Sequence, residues 1–308
     1  MKIAIDMGGT NIKISMYEGG STEAVWFESI PAHSEKGVAQ ALKRTADVIR
    51  AHGCEKPEIV GIATPGIVDS VNRRVTYING KYADAVDFDF TAWCEKTFGC
   101  PLVMINDANA ALQGEVSYGC AKDCENAALL ILGTGVGTAA IMEGRPVRGV
   151  HNQAGILGGH FIVNPTGRGC TCGGVGCLET YAGSREIICQ AESERDHTKS
   201  MIFEERPVTM KGIIACWEKG DAFATKIMNM AIGYYAAAAA NLIRAYDPEC
   251  VILSGGITHN PKIVEAIEAI VKRQGWLPWG VPKFVHAQNP DRSVSMGILK
   301  EMNSYVNP

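Results

Sequence analysis

One short stretch of this 308-residue chain constrains its local fold more than any other. His160 lies ten positions before Cys170, and Cys172 and Cys177 follow closely with glycines between them. Three thiolates and one imidazole are the four tetrahedral ligands that a structural Zn²⁺ prefers, whereas a catalytic zinc more often keeps one position open. The sequence therefore predicts a closed, zinc-stapled loop with His160, Cys170, Cys172 and Cys177 as its metal ligands.

The composition is typical of a globular protein with two domains. The hydrophobic content of 46% and the charged content of 20% are ordinary, and the length suits two cores of usual size. A net charge of −4 provides no general attraction for nucleic acid or anionic lipid, so neither is expected as a partner. Eleven cysteines without a leader segment favour a reducing cytoplasm over a secreted disulfide scaffold. The most apolar run, 230–243, is too short to cross a bilayer and predicts a buried helix.

Hydrophobic periodicity predicts alternating strands and helices, which is the pattern of an α/β fold. Glycine turns after residues 2–6 and 127–132 each join two strands, so the later hairpin looks like a second copy of the first. We predict an N-terminal lobe over 1–115, a C-terminal lobe over 116–290, and a last helix within 291–308 that returns to the first lobe. Further strands are predicted at 59–63, 103–105 and 250–253. Helices are predicted at 38–52, 108–118, 178–192, 208–219, 222–246 and 293–305.

Three glycine turns that follow apolar strands are candidates for phosphate binding. They are Gly8-Gly9-Thr10, Gly133-Thr134-Gly135 and Gly255-Gly256. Small residues let a phosphate approach the backbone N–H groups, and a hydroxyl or Lys13 nearby can add a donor. A single turn of this kind more often only connects the two strands of a hairpin, but three together favour a nucleotide-binding site. The absence of a GxxxxGK(S/T) motif argues against a P-loop enzyme, and the Gly133 turn leads into a strand, which argues against a dinucleotide fold.

Asp107 follows a short apolar strand and stands beside Asn106 at the start of a predicted helix. Phosphoryl transfer needs an aligned hydroxyl and a carboxylate that accepts its proton, so Asp107 is a candidate general base for a sugar or another alcohol. An Asn-Asp pair before a helix is also a strong capping pattern, which leaves helix capping as the structural alternative. Asp107 together with the three turns would meet the requirements of a kinase.

Taken in order, these motifs resemble those of the ROK sugar kinases over essentially the full chain. Asp6 to Thr10 and Gly133 to Gly137 resemble the two phosphate motifs of that family, and Ser254-Gly255-Gly256 resembles its adenosine turn. Pro65-Gly66 and Asn106 to Asn109 resemble its sugar motifs, and the run from His160 to Glu179 resembles its zinc signature. The resemblance implies two actin-like, ribonuclease H-like lobes with mixed sheets flanked by helices. It also implies a homodimer that uses ATP and Mg²⁺ to phosphorylate a sugar hydroxyl, usually at carbon 6.

The same resemblance assigns roles to individual residues. Asp107 would be the general base, and the sugar would contact Gly66, Asn79, Asn106, His160 and Glu179. ATP would be bound by Asp6, Gly8, Gly9, Thr10, Asn11, Lys13, Gly133, Thr134, Gly135, Gly255 and Gly256. Two structural alternatives stand beside these roles, since His160 could be a metal ligand alone and Glu179 could be a carboxylate favoured by a helix start.

Leu157 is where the chain departs from the family pattern. Family kinases commonly carry a glutamate three residues before the zinc histidine, and an apolar side chain cannot accept hydrogen bonds from sugar hydroxyls. A site that leaves a buried hydroxyl unpaired typically loses about 1–3 kcal/mol per group, so glucose is not expected to be the best substrate. We predict a sugar with an altered or less polar C1–C2 region, such as a glycoside or an uncommon hexose.

Three other classes of protein share parts of this pattern. Sugar-responsive repressors of the same family carry a helix-turn-helix ahead of this domain, for which no room is expected before Asp6, but a non-catalytic sugar sensor stays open as the alternative. A zinc finger that binds nucleic acid would need basic residues around the cysteines. An actin-like chaperone ATPase would not need the zinc loop.

Overall fold

The computed structural model describes residues 1–204, 206–274, 276–287 and 289–306. Its strands are β1 (Lys2–Met7), β2 (Asn11–Tyr17), β3 (Trp26–Pro31), β4 (Ile59–Thr64), β5 (Ile67–Asp69), β6 (Arg74–Tyr77), β7 (Leu102–Asn106), β8 (Ala127–Leu132), β9 (Val136–Met142), β10 (Arg145–Pro146), β11 (Cys250–Ser254) and β12 (Lys283–His286). Its α-helices are α1 (Val38–Ala51), α2 (Phe90–Phe98), α3 (Asp107–Tyr118), α4 (Glu179–Ala182), α5 (Ser184–Ser193), α6 (Met210–Glu218), α7 (Ala222–Tyr246), α8 (Pro261–Gln274) and α9 (Pro290–Val306).

The chain divides into two compact units, and each has its own sheet and core. Unit 1 contains Met1–Cys124, Arg145–Ala154 and the described residues from Ala287 onward. Unit 2 contains Glu125–Gly144 and the described residues of Gly155–His286. The predicted mixed α/β class is confirmed, with helices flanking a sheet in each unit.

Unit 1 is built on a sheet with the strand order β3-β2-β1-β4-β7. The predicted opening hairpin is confirmed, because β1 pairs antiparallel with β2 and Met7 lies opposite Ile12 across the turn. Strand β4 runs parallel to both β1 and β7. The carboxyl ends of parallel strands lie at one edge of a sheet, where ligands of open α/β sheets bind. This edge carries the first glycine turn, Gly66 and Asp107.

Different helices cover the two faces of this sheet. Ile3, Ile5 and Met7 pack into a core with buried residues of α1 and α2, whereas Ala4 belongs to a second core with residues of α3 and α9. This alternation follows from the two-residue period of a strand, which points successive side chains to opposite faces. Both cores are apolar and therefore fix the register of β1.

Helices α3 and α9 pack with their backbones in close contact. A Cβ atom on Gly297 would meet the carbonyl oxygen of Ala110, and one on Gly114 would meet the carbonyl oxygen of Ser293. A larger side chain at either position would push the helices apart, because cores this dense tolerate no added volume. The helix predicted over 293–305 is confirmed as α9, while residues 307 and 308 of the predicted last segment lie outside the described residues.

Unit 2 repeats the strand arrangement of unit 1. Strands β9, β8, β11 and β12 are neighbours in that order, with β9 antiparallel to β8 and the other pairs parallel. Strands β2, β1, β4 and β7 of unit 1 have the same order and directions. The internal repeat predicted from the two hairpins therefore extends to four strands of each sheet. The second and third glycine turns follow the parallel strands β8 and β11, which places them at one edge.

The structure corrects one predicted helix and adds several elements. The helix predicted over 178–192 is two helices, because Gly183 has an extended backbone (φ −67°, ψ 136°) and separates α4 from α5. Sequence reasoning missed β3, β5, β6, β10, β12, α2 and α8. A signal for α2 was available, since Asp89 caps its first turn and Gly99 ends it in the left-handed conformation.

The apolar run 230–243 lies within α7, as predicted for a buried helix. Its buried residues include Ile232, Tyr235 and Leu242, which pack into the core of unit 2. Among the residues that the structure describes, no helix combines the length and the apolar character needed to cross a membrane.

Candidate functional site

The first glycine turn joins β1 to β2, and the rest of unit 1 holds three of its carbonyl groups. The hydrogen bonds run from the Tyr82 hydroxyl to Gly8 O (3.1 Å), from Ser34 Oγ to Gly9 O (3.4 Å) and from Ala32 N to Thr10 O (2.8 Å). In a trans peptide the carbonyl group and the next N–H point in opposite directions. The N–H groups of Gly9, Thr10 and Asn11 therefore face away from these three partners, as a phosphate-binding turn requires.

Tyr82, one of these partners, has no exposed surface. Burial raises the pKa of its phenol to about 12, so the hydroxyl remains a donor at neutral pH. In the two strands that this turn joins, the buried Asp6 of β1 lies opposite Lys13 of β2. The ATP-site residues predicted in unit 1 are thus brought together around one hairpin.

The structure decides the capping question that the sequence left open at Asn106 and Asp107. Asn106 Oδ1 accepts the N–H of Asn109 at 3.1 Å, so Asn106 is the N-cap of α3. Its amide nitrogen donates to Gly66 O at 2.9 Å and to Asp107 Oδ1 at 3.1 Å. Asp107 is the first residue of α3 and is half-buried. Asn106 therefore supplies the cap of α3, and its amide also orients the Asp107 carboxylate, which does not act as the cap.

The protonation of Asp107 is controlled by opposing effects. Burial raises the pKa of its carboxyl group, while a hydrogen bond from the Ala108 N–H and the positive charge of Lys81 lower it. The net result is a raised pKa. A carboxylate with a raised pKa is a stronger base than a surface aspartate, and it must still be ionised at the working pH.

Gly66 and Asn79 differ in how firmly they are held. Gly66 has a φ of 92°, and a Cβ atom there would meet the Tyr77 carbonyl oxygen, so only glycine fits this turn after β4. The exposed Asn79 accepts the N–H of Lys81 through its backbone carbonyl at 3.0 Å. Gly66 therefore belongs to the Asn106–Asp107 cluster, and Asn79 belongs to the segment that carries Lys81.

The second and third glycine turns repeat this arrangement in unit 2. The carbonyls of Gly133 and Thr134 accept the N–H groups of Ser184 (3.0 Å) and Arg185 (3.3 Å), which open α5. In the third turn, the Gly255 carbonyl accepts both the N–H (3.1 Å) and the hydroxyl (2.8 Å) of Thr258. By the same geometry of the trans peptide, the N–H groups of Thr134, Gly135 and Gly256 point away from these partners.

These two turns line a cavity of about 640 Å³ in unit 2. Such a volume is within the range of small-molecule sites. Apolar side chains of Met210, Ile214 and Ile257 form part of its wall, and Lys211, Glu218 and Asn260 add polar groups. Glu218 Oε1 accepts the Asn260 side-chain amide at 3.0 Å, which fixes that amide at the wall. The cavity can take a flat, partly apolar group whose phosphates reach the turns.

His160, Cys170, Cys172 and Cys177 form the predicted cluster, and their ligand atoms all lie within 4.8 Å of one another. Cys172 Sγ and Cys177 Sγ are 3.6 Å apart, and Cys170 Sγ and His160 Nδ1 are 3.7 Å apart. A tetrahedral zinc with Zn–S near 2.3 Å and Zn–N near 2.0 Å would separate two sulfurs by about 3.8 Å, and a sulfur from a nitrogen by about 3.5 Å. The donor set therefore fits a tetrahedral zinc.

Glu179 lies against the second glycine turn. It begins α4, and its Oε2 accepts the Val136 N–H at 3.0 Å. A Cβ atom on Gly135 would meet the same carboxylate oxygen, so the side chain packs directly on the turn. Glu179 therefore stands at a helix start, as the structural alternative expects, and it also contacts the second glycine turn.

Leu157 precedes the short 3-10 turn Gly158–His160 and is 36% exposed. Gly158 N–H donates to Thr138 Oγ1 at 2.8 Å, and a Cβ atom on Gly159 would meet the Val136 carbonyl oxygen. These close contacts with β9 hold the turn in place. The Leu157 side chain is therefore presented by a fixed segment that ends in the cluster histidine.

The predicted site residues fall in both units, and sequence reasoning missed several neighbours. Unit 1 holds the first turn with Gly66, Asn79, Asn106 and Asp107, whereas unit 2 holds the other turns with Leu157, His160 and Glu179. Tyr82 and Lys81 were missed because they meet the first turn across about seventy positions of sequence. The residues of α6 that line the cavity were missed because the sequence of this helix has the ordinary amphipathic pattern.

Known proteins resemble this chain along most of its length. The model of the ROK family matches residues 2–300. A glucokinase of Halalkalibacterium halodurans is 29% identical over 269 residues, which cover 83% of this chain and 80% of that protein. The solved ROK hexokinase of Thermus thermophilus is 27% identical with a TM-score of 0.78, and the match covers 96% of both chains.

Repressors resemble the chain as well. The xylose repressor of Bacillus spizizenii is 26% identical over 213 residues, which cover 69% of this chain but only 52% of the repressor. Sugar kinases and sugar-linked repressors are thus both relatives of this chain. The family match over 2–300 shows that the chain belongs to the ROK family.

Proposed function

We propose that this protein is an ATP-dependent sugar kinase that transfers the γ-phosphoryl group to a sugar hydroxyl, the 6-hydroxyl of a hexose or hexose derivative. The observation that carries the proposal is the half-buried Asp107 carboxylate with its raised pKa, at the sheet edge that also bears the first glycine turn. The kinase relatives support it, since a glucokinase and a hexokinase match most of the chain.

In the proposed reaction Asp107 is the general base. The sugar hydroxyl oxygen forms a bond to the γ-phosphorus, and the bond from that phosphorus to the bridging oxygen breaks with its electron pair left on ADP. The hydroxyl proton passes to the Asp107 carboxylate. Asn106 would orient this carboxylate through its amide hydrogen bond of 3.1 Å. Little covalent help is needed, because phosphoryl transfer depends on alignment and on neutralised phosphate oxygens.

ATP would use the glycine turns and the cavity of unit 2. The inferred N–H directions at Gly9, Thr10 and Asn11 suit phosphate oxygens, as do those at Thr134, Gly135 and Gly256. Mg²⁺ would be held by the phosphates with Asp6 nearby. A magnesium site of this kind needs only one or two carboxylates besides the phosphates, so a single buried aspartate fits it. The ion would neutralise phosphate charge during transfer.

The sugar would be held by Gly66, Asn79, Asn106, His160 and Glu179. Asn106 uses both N–H groups of its amide on protein partners, which leaves one lone pair of Oδ1 for a hydroxyl. His160 directs Nδ1 toward Cys170, so Nε2 is the nitrogen that could donate to a sugar. Leu157 would contact the C1–C2 region and disfavour a free hydroxyl there, which favours a glycoside or an uncommon hexose over glucose.

A structural zinc bound by His160, Cys170, Cys172 and Cys177 would hold this loop. The metal would take no part in the reaction, because four protein ligands leave no open position. We further propose a homodimer in the cytoplasm that has neither nucleic acid nor a membrane as partner. The lobes are proposed as 1–115 with the helix of 291–308, and 116–290.

A second candidate function is a sugar-binding regulator without catalysis. The similarity to the xylose repressor favours it, because that repressor matches about two thirds of this chain. Retention of Asp107 in a site that could perform proton transfer argues for the kinase. The two functions differ in one readout, since only the kinase forms ADP and a sugar phosphate together.

The test is an assay of ADP release and sugar phosphate formation over hexoses, amino sugars, ketoses and glycosides. A one-to-one yield of both products with at least one sugar is expected, with glucose not the best substrate. Sugar binding without either product would support the regulator. The role of Leu157 is tested with Leu157→Glu, which should shift preference toward glucose by about tenfold or more, the value of one hydrogen bond. An unchanged preference would refute that role.

A further inference from the structure

Lys81 lies directly on the first glycine turn, although nothing in the local sequence links the two. A Cβ atom on Gly9 would collide with Cδ, Cε and Nζ of Lys81. The end of the lysine side chain therefore packs against the Gly9 backbone, in space that only a glycine leaves free. An ammonium group so placed stands beside the N–H groups to which a phosphate would bind.

The neighbouring residue fixes this placement. Tyr82 is fully buried, and its hydroxyl donates to Gly8 O at 3.1 Å. Its own N–H donates to Ser34 O at 3.3 Å, and the Lys81 N–H donates to Asn79 O at 3.0 Å. The Lys81 backbone is thus held locally by Asn79, and Tyr82 links the next residue both to Ser34 and to the turn. Its side chain is exposed, so the ammonium can shift onto a ligand at little cost.

The charge of Lys81 also reaches Asp107. Burial is the largest influence on the Asp107 carboxyl and raises its pKa, and Lys81 is the charged side chain that acts most strongly in the opposite direction. The remaining influences are hydrogen bonds from the N–H groups of Ala108 and of Asp107 itself and from the Asn106 amide. Lys81 is therefore near both the turn and the base, whereas Lys13 lies opposite Asp6 on the hairpin.

We propose that Lys81 is a catalytic residue whose ammonium group binds the oxygens of the phosphoryl group in transfer. The proposal rests on the proposed kinase function. During transfer the γ-phosphoryl group moves from the bridging oxygen of ADP to the sugar oxygen, and its charge is spread over its three other oxygens. A cation held beside the Gly9 backbone stabilises that charge. The same cation opposes the effect of burial on the Asp107 pKa and so favours the ionised carboxylate that accepts the hydroxyl proton.

The experiment compares Lys81→Met, Lys81→Arg and a matched control. Lys43→Met removes the same charge from an exposed position in the middle of α1, away from the turn. We measure kcat against pH with a substrate from the sugar panel. Loss of a fixed electrostatic contact predicts a high-pH plateau about 100-fold lower in Lys81→Met. Lys81→Arg should recover about tenfold of this loss, since arginine also binds phosphate.

The pH profile separates the two effects of the charge. If the cation acts only by favouring the ionised form of Asp107, its removal in Lys81→Met moves the acid limb to higher pH and leaves the plateau intact. If the cation also contacts the phosphoryl group, its removal moves the acid limb upward and lowers the plateau as well. A plateau within about twofold of that of Lys43→Met overturns the proposal, whatever the acid limb does.

Calorimetric measurement of the binding of ADP and of a non-hydrolysable ATP analogue tests the Lys81 contact without any turnover. A contact with the γ-phosphoryl group predicts that Lys81→Met weakens the analogue about tenfold and leaves ADP within about twofold. Equal weakening of both ligands, or of neither, overturns the proposal. If the wild type forms no sugar phosphate while the analogue result holds, the kinase function fails and the Lys81 contact stands.

Discussion

Tyr82→Phe removes one hydrogen bond that orients the first glycine turn and changes little else. The lost bond joins the buried phenol to the Gly8 carbonyl over 3.1 Å. Gly8 is only partly buried, so water can reach its carbonyl and the loss should be near the ordinary net value of about 1 kcal/mol. We expect a melting temperature lower by about 2–4 °C, the shift for a domain of this size.

Tyr235→Phe is the matched control for this change. Tyr235 is also fully buried, but its hydroxyl has no hydrogen-bond partner among the described residues. Removing an unsatisfied buried hydroxyl should raise the unfolding free energy by about 1 kcal/mol, so the two substitutions should move the melting temperature in opposite directions.

The assay is thermal unfolding of both variants, followed by the KM for ATP. Tyr82→Phe should raise this KM by up to about tenfold, because the Gly9 N–H loses its fixed direction, and Tyr235→Phe should leave it unchanged. Equal shifts of melting temperature in both variants, or an unchanged KM for ATP in Tyr82→Phe, would refute the account of the turn.

Three further predictions concern the base, the metal and the helix contact. The kcat/KM for the sugar should fall as the pH falls through the pKa of Asp107, which is raised above the value of about 3.9 for an ordinary aspartate. A pH–rate profile whose acid limb has its midpoint at or below that value would contradict Asp107 as the general base. Purified protein should contain one zinc by metal analysis, and Cys172→Ser should lose it together with thermal stability; an unchanged melting temperature would exclude a structural metal. Gly297→Ala should lower the unfolding free energy by about 1–3 kcal/mol, because the added Cβ atom meets the Ala110 carbonyl. The control Gly233→Ala lies within α7, where the added Cβ atom meets nothing within 4 Å, and should raise the unfolding free energy by about 0.5–1 kcal/mol. Chemical denaturation that gives changes of the same sign for both variants would contradict the account of the helix packing.

The sequence was informative where local pattern decides the outcome. Apolar runs broken by glycine turns predicted the two hairpins, and the spacing of His160, Cys170, Cys172 and Cys177 predicted the cluster that the structure assembles. Both signals lie within short segments, so their geometry is set by neighbouring residues.

Long-range contacts carried no such signal. Tyr82 meets Gly8 and Lys81 meets Gly9 only because the fold brings the segment after β6 to the hairpin. The capping question at Asn106 and Asp107 was also undecided, since both residue types cap helices and only the observed hydrogen bond to Asn109 assigns the cap to Asn106. The break at Gly183 was missed because the flanking residues continue a helical pattern.

The central claim is that Asp107 takes the proton in ATP-dependent phosphorylation of a sugar. Its half-buried carboxylate has a raised pKa, so the folded state binds more protons than the unfolded state between the two pKa values, and stability falls as the pH rises through that window. Asp107→Asn removes this cost and keeps the shape of the side chain, so the variant should be at least as stable as the wild type at neutral pH.

The most direct measurement is therefore kcat/KM for sugar phosphate formation in wild type and Asp107→Asn, with the melting temperature of both. The account predicts a loss of about 10²–10⁴-fold in kcat/KM with an equal or higher melting temperature. Activity of Asp107→Asn within tenfold of the wild type across the pH range would contradict it.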